Sequence, residues 1–264
     1  MNNLRAIPLM AVSFAGALMA ISLLNHIVTP PLPNLDQMLL PPSIDTPLGT
    51  DGLGRNVSLR LLIGTSYSLE QAAITIVIAS FVGLSLAVLS AHAYGRWLDG
   101  MISSLAEAVR SFPTLILVLL FAAAGAPPML LLATYFWVPV WRLLRGELIS
   151  QQHQPYAMTT RLAGMSPART LTFEVLPNVL PRVYPYAAGL FAEVLTAQTA
   201  VEYLGFGPPI EQTSIGGLIL ESGRLGLSAP WVWMPALLMV SILVALLAGL
   251  MRSRRKSLVW TPLG

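Results

Sequence analysis

The residues able to do chemistry in this 264-residue chain are few, and most are badly placed for it. A loop that cradles phosphate needs Gly-Lys-Ser/Thr after a glycine-rich turn. The single lysine, Lys256, follows Arg254 and Arg255 in a basic tail, so this chain carries no ATP chemistry of its own. Three histidines, His26, His92 and His153, lie far apart, and no His-Glu-x-x-His pattern occurs. They read as interfacial or loop side chains rather than ligands, so no metal site is expected. Nothing brings a histidine beside a serine at a shared depth, as a hydrolase would need. With no cysteine there is neither a thiol nucleophile nor a disulfide framework. What remains is a polar stripe, Glu193, Thr196 and Thr199, recurring at i, i+3 and i+6 on an otherwise apolar helix. Asp51 and Arg55 face each other across glycines 52 and 54, spaced to pair over a tight turn. Gly52-Leu53-Gly54 has no strand-helix context and is no nucleotide fingerprint. Glu107 and Arg110, three apart, are expected to form a local ion pair.

The elements that carry these residues follow from composition. The chain is 55% hydrophobic and 10% charged, against about 25% charged in soluble domains. Its mean hydropathy is +0.70. Such a chain cannot cover itself in water, which excludes an ordinary soluble enzyme, a disordered segment and a disulfide-stapled module. A membrane helix needs about 20 apolar residues. Residues 7–28 supply a first span, longer than a signal-peptide core and without a clean small-x-small cleavage site. Residues 71–95 supply a second. The uncharged stretch 111–141 is broken at Gly125-Ala126-Pro127-Pro128 and reads as two short spans or a re-entrant hairpin. Residues 183–206 form a fifth, carrying Glu193 and Glu202, and residues 230–251 a sixth. The class is an all-α polytopic membrane protein of about six helices.

Eleven of the 15 Lys/Arg residues fall on one side, including Arg142, Arg145, Arg161, Arg169, Arg182 and the basic tail. Arg55, Arg60 and Arg224 fall on the other, and Arg110 lies at the edge of a span. The positive side is cytoplasmic, so six spans place both termini inside. The basic balance is a topology signal and does not point to nucleic acid. Glu193, an ionisable group at membrane depth, is expected to face a polar path with Thr196 and Thr199. The other reading is an interhelical hydrogen bond that fixes packing.

The longest inner loop, residues 146–182, holds a short helix-turn-helix. Pro155 can open a helix that Gly164 ends; Pro167 opens a second, which Pro177 is expected to interrupt. Such a pair on the cytoplasmic face suits docking to another subunit, or amphipathic contact with headgroups.

Three segments then resemble a known family. Leu48-Gly49-Thr50-Asp51-Gly52-Leu53-Gly54-Arg55-Asn56 with the run Arg60 to Leu69, the inner loop with Tyr156, Arg161, Gly164 and Leu176-Pro177-Asn178, and Tyr203-Leu204-Gly205-Phe206-Gly207 are similar to permease subunits of type I ABC importers, in the dipeptide/oligopeptide/nickel branch. The match runs over about residues 48–250. The resemblance implies the MetI-like permease fold: an N-terminal span (1–30), an outer segment (31–69), a five-helix core (70–251) with its docking loop (146–182), and a cytoplasmic tail (252–264). It also implies a second homologous permease, two ATPase subunits that bind ATP and Mg, and an extracytoplasmic substrate-binding protein, with lipid around the spans. ATPase docking falls on Tyr156, Ala157, Met158, Thr159, Thr160, Arg161, Leu162, Ala163 and Gly164, with Arg161 as a charged contact. Asp51, Gly54 and Arg55 would scaffold the outer segment under the binding protein. The cargo would be a peptide, nickel, a metal chelate or another small solute.

The departures are specific. Met158-Thr159-Thr160 stands where the family reads Glu-Ala-Ala, Asn56 stands where aspartate is common, and the acidic Gly-Asp-Gly pattern after the last span is missing. A secondary transporter or channel is the second class, but Pro113 and the Pro127-Pro128 turn have no clear counterpart in the other half, as inverted repeats would show.

Overall fold

The computed structural model describes residues 30–258 except 124, 126, 210 and 211. The expected first span and the end of the basic tail (259–264) lie outside them. The described chain is helical: α1 (Val57–His92), α2 (Trp97–Ser111), α3 (Thr114–Ala123), α4 (Pro128–Gln152), α5 (Pro155–Leu162), α6 (Pro167–Thr170), α7 (Leu176–Val201), α8 (Ile215–Leu220), α9 (Ser222–Leu225) and α10 (Pro230–Leu258). Two π-helical turns, Leu171–Val175 and Glu202–Phe206, flank α7.

The inward and outward faces of α1 explain the environment. Its buried stripe is small: Gly64, Ser68, Ala72, Thr75, Ala79, Gly83, Ala87 and Ala91, at helical spacing. Leu62, Val77, Phe81 and Leu89 point outward and are exposed. A water-soluble helix buries its large residues, whereas membrane helices put small ones at their contacts and large apolar ones against lipid. α10 repeats the pattern, burying Val232 and Ala236 and exposing Leu238, Ile242 and Leu246. On length and composition, α1 and the 230–249 part of α10 are long and apolar enough to cross a bilayer.

α1 starts at Val57, fourteen residues before the charge-free stretch begins. Asn56 caps it, accepting from the Ser58 and Leu59 amides at 2.9 and 3.4 Å. Asparagine caps as well as aspartate, which accounts for that departure. Its 36 residues make a rod of about 54 Å. The expected break at Pro127-Pro128 is present, and α4 then runs 25 residues, about 37 Å, well past Trp141. α3 prolongs α2 after Phe112, whose extended backbone is what a following proline imposes.

α4 is the centre of the core. It buries Leu132, Phe136, Trp137, Val140, Trp141, Leu144 and Leu148 against α1 and α7. At the closest crossing Gly83 lies against Trp137 and Val140, where a Cβ would meet the Trp137 carbonyl at 2.8 Å. Pro177 does not interrupt the helix that α6 begins. The chain passes through the π turn 171–175 directly into α7, with Pro177 in its first turn. The wider π turn immediately before Pro177 is where the helix accommodates the missing N–H. The expected Glu107–Arg110 pair is not formed among the described residues; both side chains are exposed on α2.

Candidate docking and outer-face sites

The two ends of the bundle carry separate constructions. At the inner end, α5 is a short helix with Pro155 in its first turn. It stops in a paired C-terminal motif: the Gly164 amide donates to the Arg161 carbonyl at 3.0 Å and the Met165 amide to the Thr160 carbonyl at 3.1 Å. Gly164 sits at φ +92°, where a side chain is strained, although nothing crowds its Cα. The nine expected docking residues split by burial. Ala157 is fully buried in the core. Met158, Thr159, Leu162, Ala163 and Gly164 are exposed, and Leu162 is 87% so. Tyr156, Thr160 and Arg161 are half-buried. The Tyr156 hydroxyl donates to Gln151 Oε1 at 3.3 Å, and burial lifts its pKa above the ordinary value, so the proton stays on. Arg161 turns back into the chain and donates from Nη2 to Gln152 Oε1 at 3.1 Å. The outward surface of α5 is therefore apolar, with Met158 where the family has glutamate.

Behind α5, Arg145 ties three helices. Its Nε and Nη2 donate to Asp99 at 2.8 and 2.7 Å, and its guanidinium lies 5.6 Å from the ring centres of both Tyr94 and Trp141. Ser90 of α1 also donates to Asp99. The Arg145 hydrogen bond holds the Asp99 carboxyl below the usual aspartate value, against the opposing effect of burial.

At the outer end, Asp51 is fully buried at the centre of the 34–56 segment. Oδ1 accepts the Leu53 and Arg55 amides at 2.8 and 2.9 Å, and Oδ2 accepts Arg55 Nε and Arg60 Nη1 at 2.8 and 2.5 Å. Arg60 reaches on to Glu221 at 2.7 Å. Two cations and two anions balance in a place where an unpaired charge would be costly. Gly54 and Gly49 make the turn at φ +71° and +69°; Gly52 has no such conformation. A Cβ on Gly54 would fall 1.7 Å from the Asn34 carbonyl oxygen, so the segment closes only over glycine. Trp231 Nε1 donates to the Thr50 carbonyl at 3.3 Å and pins the segment to α10.

Beside it lies a group that helical periodicity alone does not single out. Glu202, in the second π turn, is buried and accepts from Ser68 Oγ of α1, Gln198 Nε2 at 3.0 Å and the Gly216 amide of α8 at 3.1 Å. Ser68 in turn accepts the Ile215 amide at 3.1 Å. Gly205 turns the chain at φ +93°. A cavity of about 530 Å³ opens here, walled by Asp51, Arg55, Glu202, Gln212, Glu221 and Arg224. The expected path residues are not part of it. Glu193 and Thr196 are exposed on the bundle surface, whereas Thr199 is buried with its hydroxyl on the Leu195 carbonyl at 2.8 Å. The three do not form one wall within this chain.

Comparisons with known proteins bear on the whole arrangement. The family described as binding-protein-dependent transport system inner membrane component matches residues 79–256. The dipeptide transport system permease protein DppC of Alkalihalophilus pseudofirmus is 28% identical over 202 residues, 75% of this chain and 66% of that protein. The inner membrane ABC transporter permease protein YejE of Escherichia coli is 29% identical over 211 residues, 78% of this chain and 61% of that protein. The oligopeptide transport system permease protein OppC of Lactococcus lactis subsp. cremoris is 26% identical over 217 residues, 80% and 74% of the two chains. The chain thus spans less than two thirds of the first two relatives. Among solved structures, the inward-facing methionine ABC transporter MetNI matches with a TM-score of 0.61 at 16% identity, over 77% of this chain and 98% of that one. An amino acid ABC transporter crystallised with histidines matches at 0.59 and 17% identity, over 76% and 95%. The shared fold is the MetI-like one.

Proposed function

Because the chain belongs to the family of binding-protein-dependent transport system inner membrane components, we propose that it is the permease subunit of an ATP-driven importer of peptides. It works with a second homologous permease, two cytoplasmic ATPase subunits that bind ATP and Mg, and an extracytoplasmic binding protein that delivers cargo. The observation that carries this is α5: a capped helix anchored by Ala157 and presenting Met158 and Leu162 outward. A partner's groove would bury that apolar surface. ATP binding would close the ATPases and draw the two permeases' docking helices together; the bundles would tilt outward-open, accept cargo and reset after hydrolysis. The peptide assignment rests on the relatives named above; nickel has no such support. Both termini lie in the cytoplasm of a six-span inner-membrane subunit, and Glu193 and Thr196, exposed on one chain, face the path between the two permeases.

Affinity capture of this chain from its host membrane, followed by reconstitution, tests the assignment. A co-captured partner with a phosphate-loop lysine and ATP-dependent peptide uptake are expected; transport by this chain alone would replace the importer with a secondary transporter. Within the reconstituted complex, Gly164→Val should leave the bundle folded and uncouple hydrolysis from uptake, because φ +92° forbids a β-branched residue. Normal substrate-stimulated ATPase in that variant would refute the docking role. Unaltered uptake and cargo preference in Glu193→Gln would remove that residue from the path.

A further inference from the structure

α5 is joined covalently only to α4 and, through α6, to α7, yet α1 has to follow if the bundle is to tilt as a unit. The described hydrogen bonds from α5 side chains back into the core both end on the last turn of α4: Tyr156 on Gln151 and Arg161 on Gln152. Gln152 continues further. Its Oε1 accepts Arg161 Nη2 at 3.1 Å, and its Nε2 donates to the Ala91 carbonyl at 3.2 Å. Ala91 lies in the last turn of α1, where carbonyls run out of helical N–H partners and the helix end is partly negative. A donor is welcome there. The glutamine amide accepts at one end and donates at the other, and asparagine is one methylene shorter.

Resting on the importer reading, we propose that Gln152 is a positioning residue that couples the docking helix to the inner end of α1, and that Arg161 acts through it inside the chain rather than as a charged contact to the ATPase. The Arg145–Asp99–Ser90 tie holds the same α1–α2 corner onto α4 about two helical turns before Gln152, so the corner is held against α4 while Gln152 links it to α5.

The two halves of the link separate by substitution. Gln152→Glu keeps the acceptor for Arg161 and loses the donor to Ala91; Arg161→Met breaks the other half. In the reconstituted complex each is expected to raise ATP hydrolysed per peptide imported about fivefold, the worth of one hydrogen bond. The double variant should be no worse than either single one. Because the chain has no cysteine, spin labels at His92→Cys and Thr159→Cys, both exposed, read the α1–α5 distance directly. A narrow distribution that broadens in Gln152→Glu and in Arg161→Met supports the proposal. Unchanged coupling ratio with unchanged distance distributions overturns it, as does additivity in the double variant. A wild-type complex with no ATP-dependent uptake would instead overturn the importer reading, while the label distances would still report on the link.

Discussion

Replacing Gly216 with alanine tests the Glu202 junction with a single methyl group. The new Cβ would stand 2.4 Å from both the Glu202 Cβ and the Thr199 carbonyl oxygen, and 2.8 Å from the Tyr203 amide nitrogen. Ordinary contact begins near 3.4 Å, and the Thr199 and Tyr203 atoms are backbone, so α8 has to retreat by about 1 Å. The Gly216 amide donates to Glu202 Oε2 at 3.1 Å; that retreat carries it out of hydrogen-bond range. Overpacking costs about 1–3 kcal/mol, and the buried Gly216 amide left without its acceptor costs about 1–3 kcal/mol more. Together they approach the whole margin of a typical domain. Thermal unfolding in lipid nanodiscs should show a midpoint lower by on the order of 10 °C. Gly207→Ala is the matched control, since its Cβ would meet Glu202 and Ser214 at an ordinary 3.5 Å, and it should stay within about 0.5 kcal/mol of the parent. Parent-like melting of Gly216→Ala, or an equal loss in Gly207→Ala, would refute the reasoning.

Asp51→Ala removes the carboxylate that Arg55 Nε and Arg60 Nη1 share, while Arg60 keeps Glu221. A loss of about 3–5 kcal/mol should appear as rapid trypsin cleavage at Arg55 in folded protein. Gly83→Ala should cost about 1–3 kcal/mol by prising α1 from Trp137 and Val140, whereas Gly100→Ala, with open space at its Cα, should stabilise by about 0.5–1 kcal/mol; parallel melting curves check both. The Asp99 pKa is depressed in the folded state, so its contribution is complete above the ordinary value near 3.8 and fades only as pH falls below it toward the folded value. The stability gap between the parent and Asp99→Asn should therefore be flat from pH 7 to 5 and close only in stronger acid.

The local constructions were legible because each is encoded within a few residues. The Asp51–Arg55 pair over Gly54, the α5 boundaries at Pro155 and Gly164, and the break at Pro127-Pro128 all follow from spacing and backbone restriction. What escaped was set by partners far along the chain. Arg60 reads as an outer-loop charge, yet Asp51, nine residues back, and Glu221, 161 residues on, neutralise it inside the first turn of α1. Glu70, inside α1, bounds the charge-free stretch, so counting charges starts that helix fourteen residues late. Glu193 heads the repeating polar stripe at membrane depth, whereas Glu202 lies nearer the outer surface. The π turn at 202–206 breaks that repeat and swings Glu202 onto Ser68 and Gly216, contacts that no local pattern announces. Periodicity also marks a polar stripe without saying whether its neighbour is a helix of the same chain or of a second one.

α1 is long enough to touch both constructions. Its inner end holds the Ser90 and Ala91 contacts to Asp99 and Gln152; its outer end holds Arg60 on Asp51 and Ser68 on Glu202. A rod of about 54 Å pivoting 10° about Gly83, where it packs against Trp137 and Val140, swings its outer end by roughly 7 Å and its inner end by roughly 2 Å in opposite directions. The smooth strip of glycine, alanine and serine along its contact with α4 has no large knobs to unlock as it turns. α1 is thus built as a lever with its fulcrum at Gly83. On the proposed importer reading, a push at the docking helix would reach the outer cavity as a displacement of opposite sense.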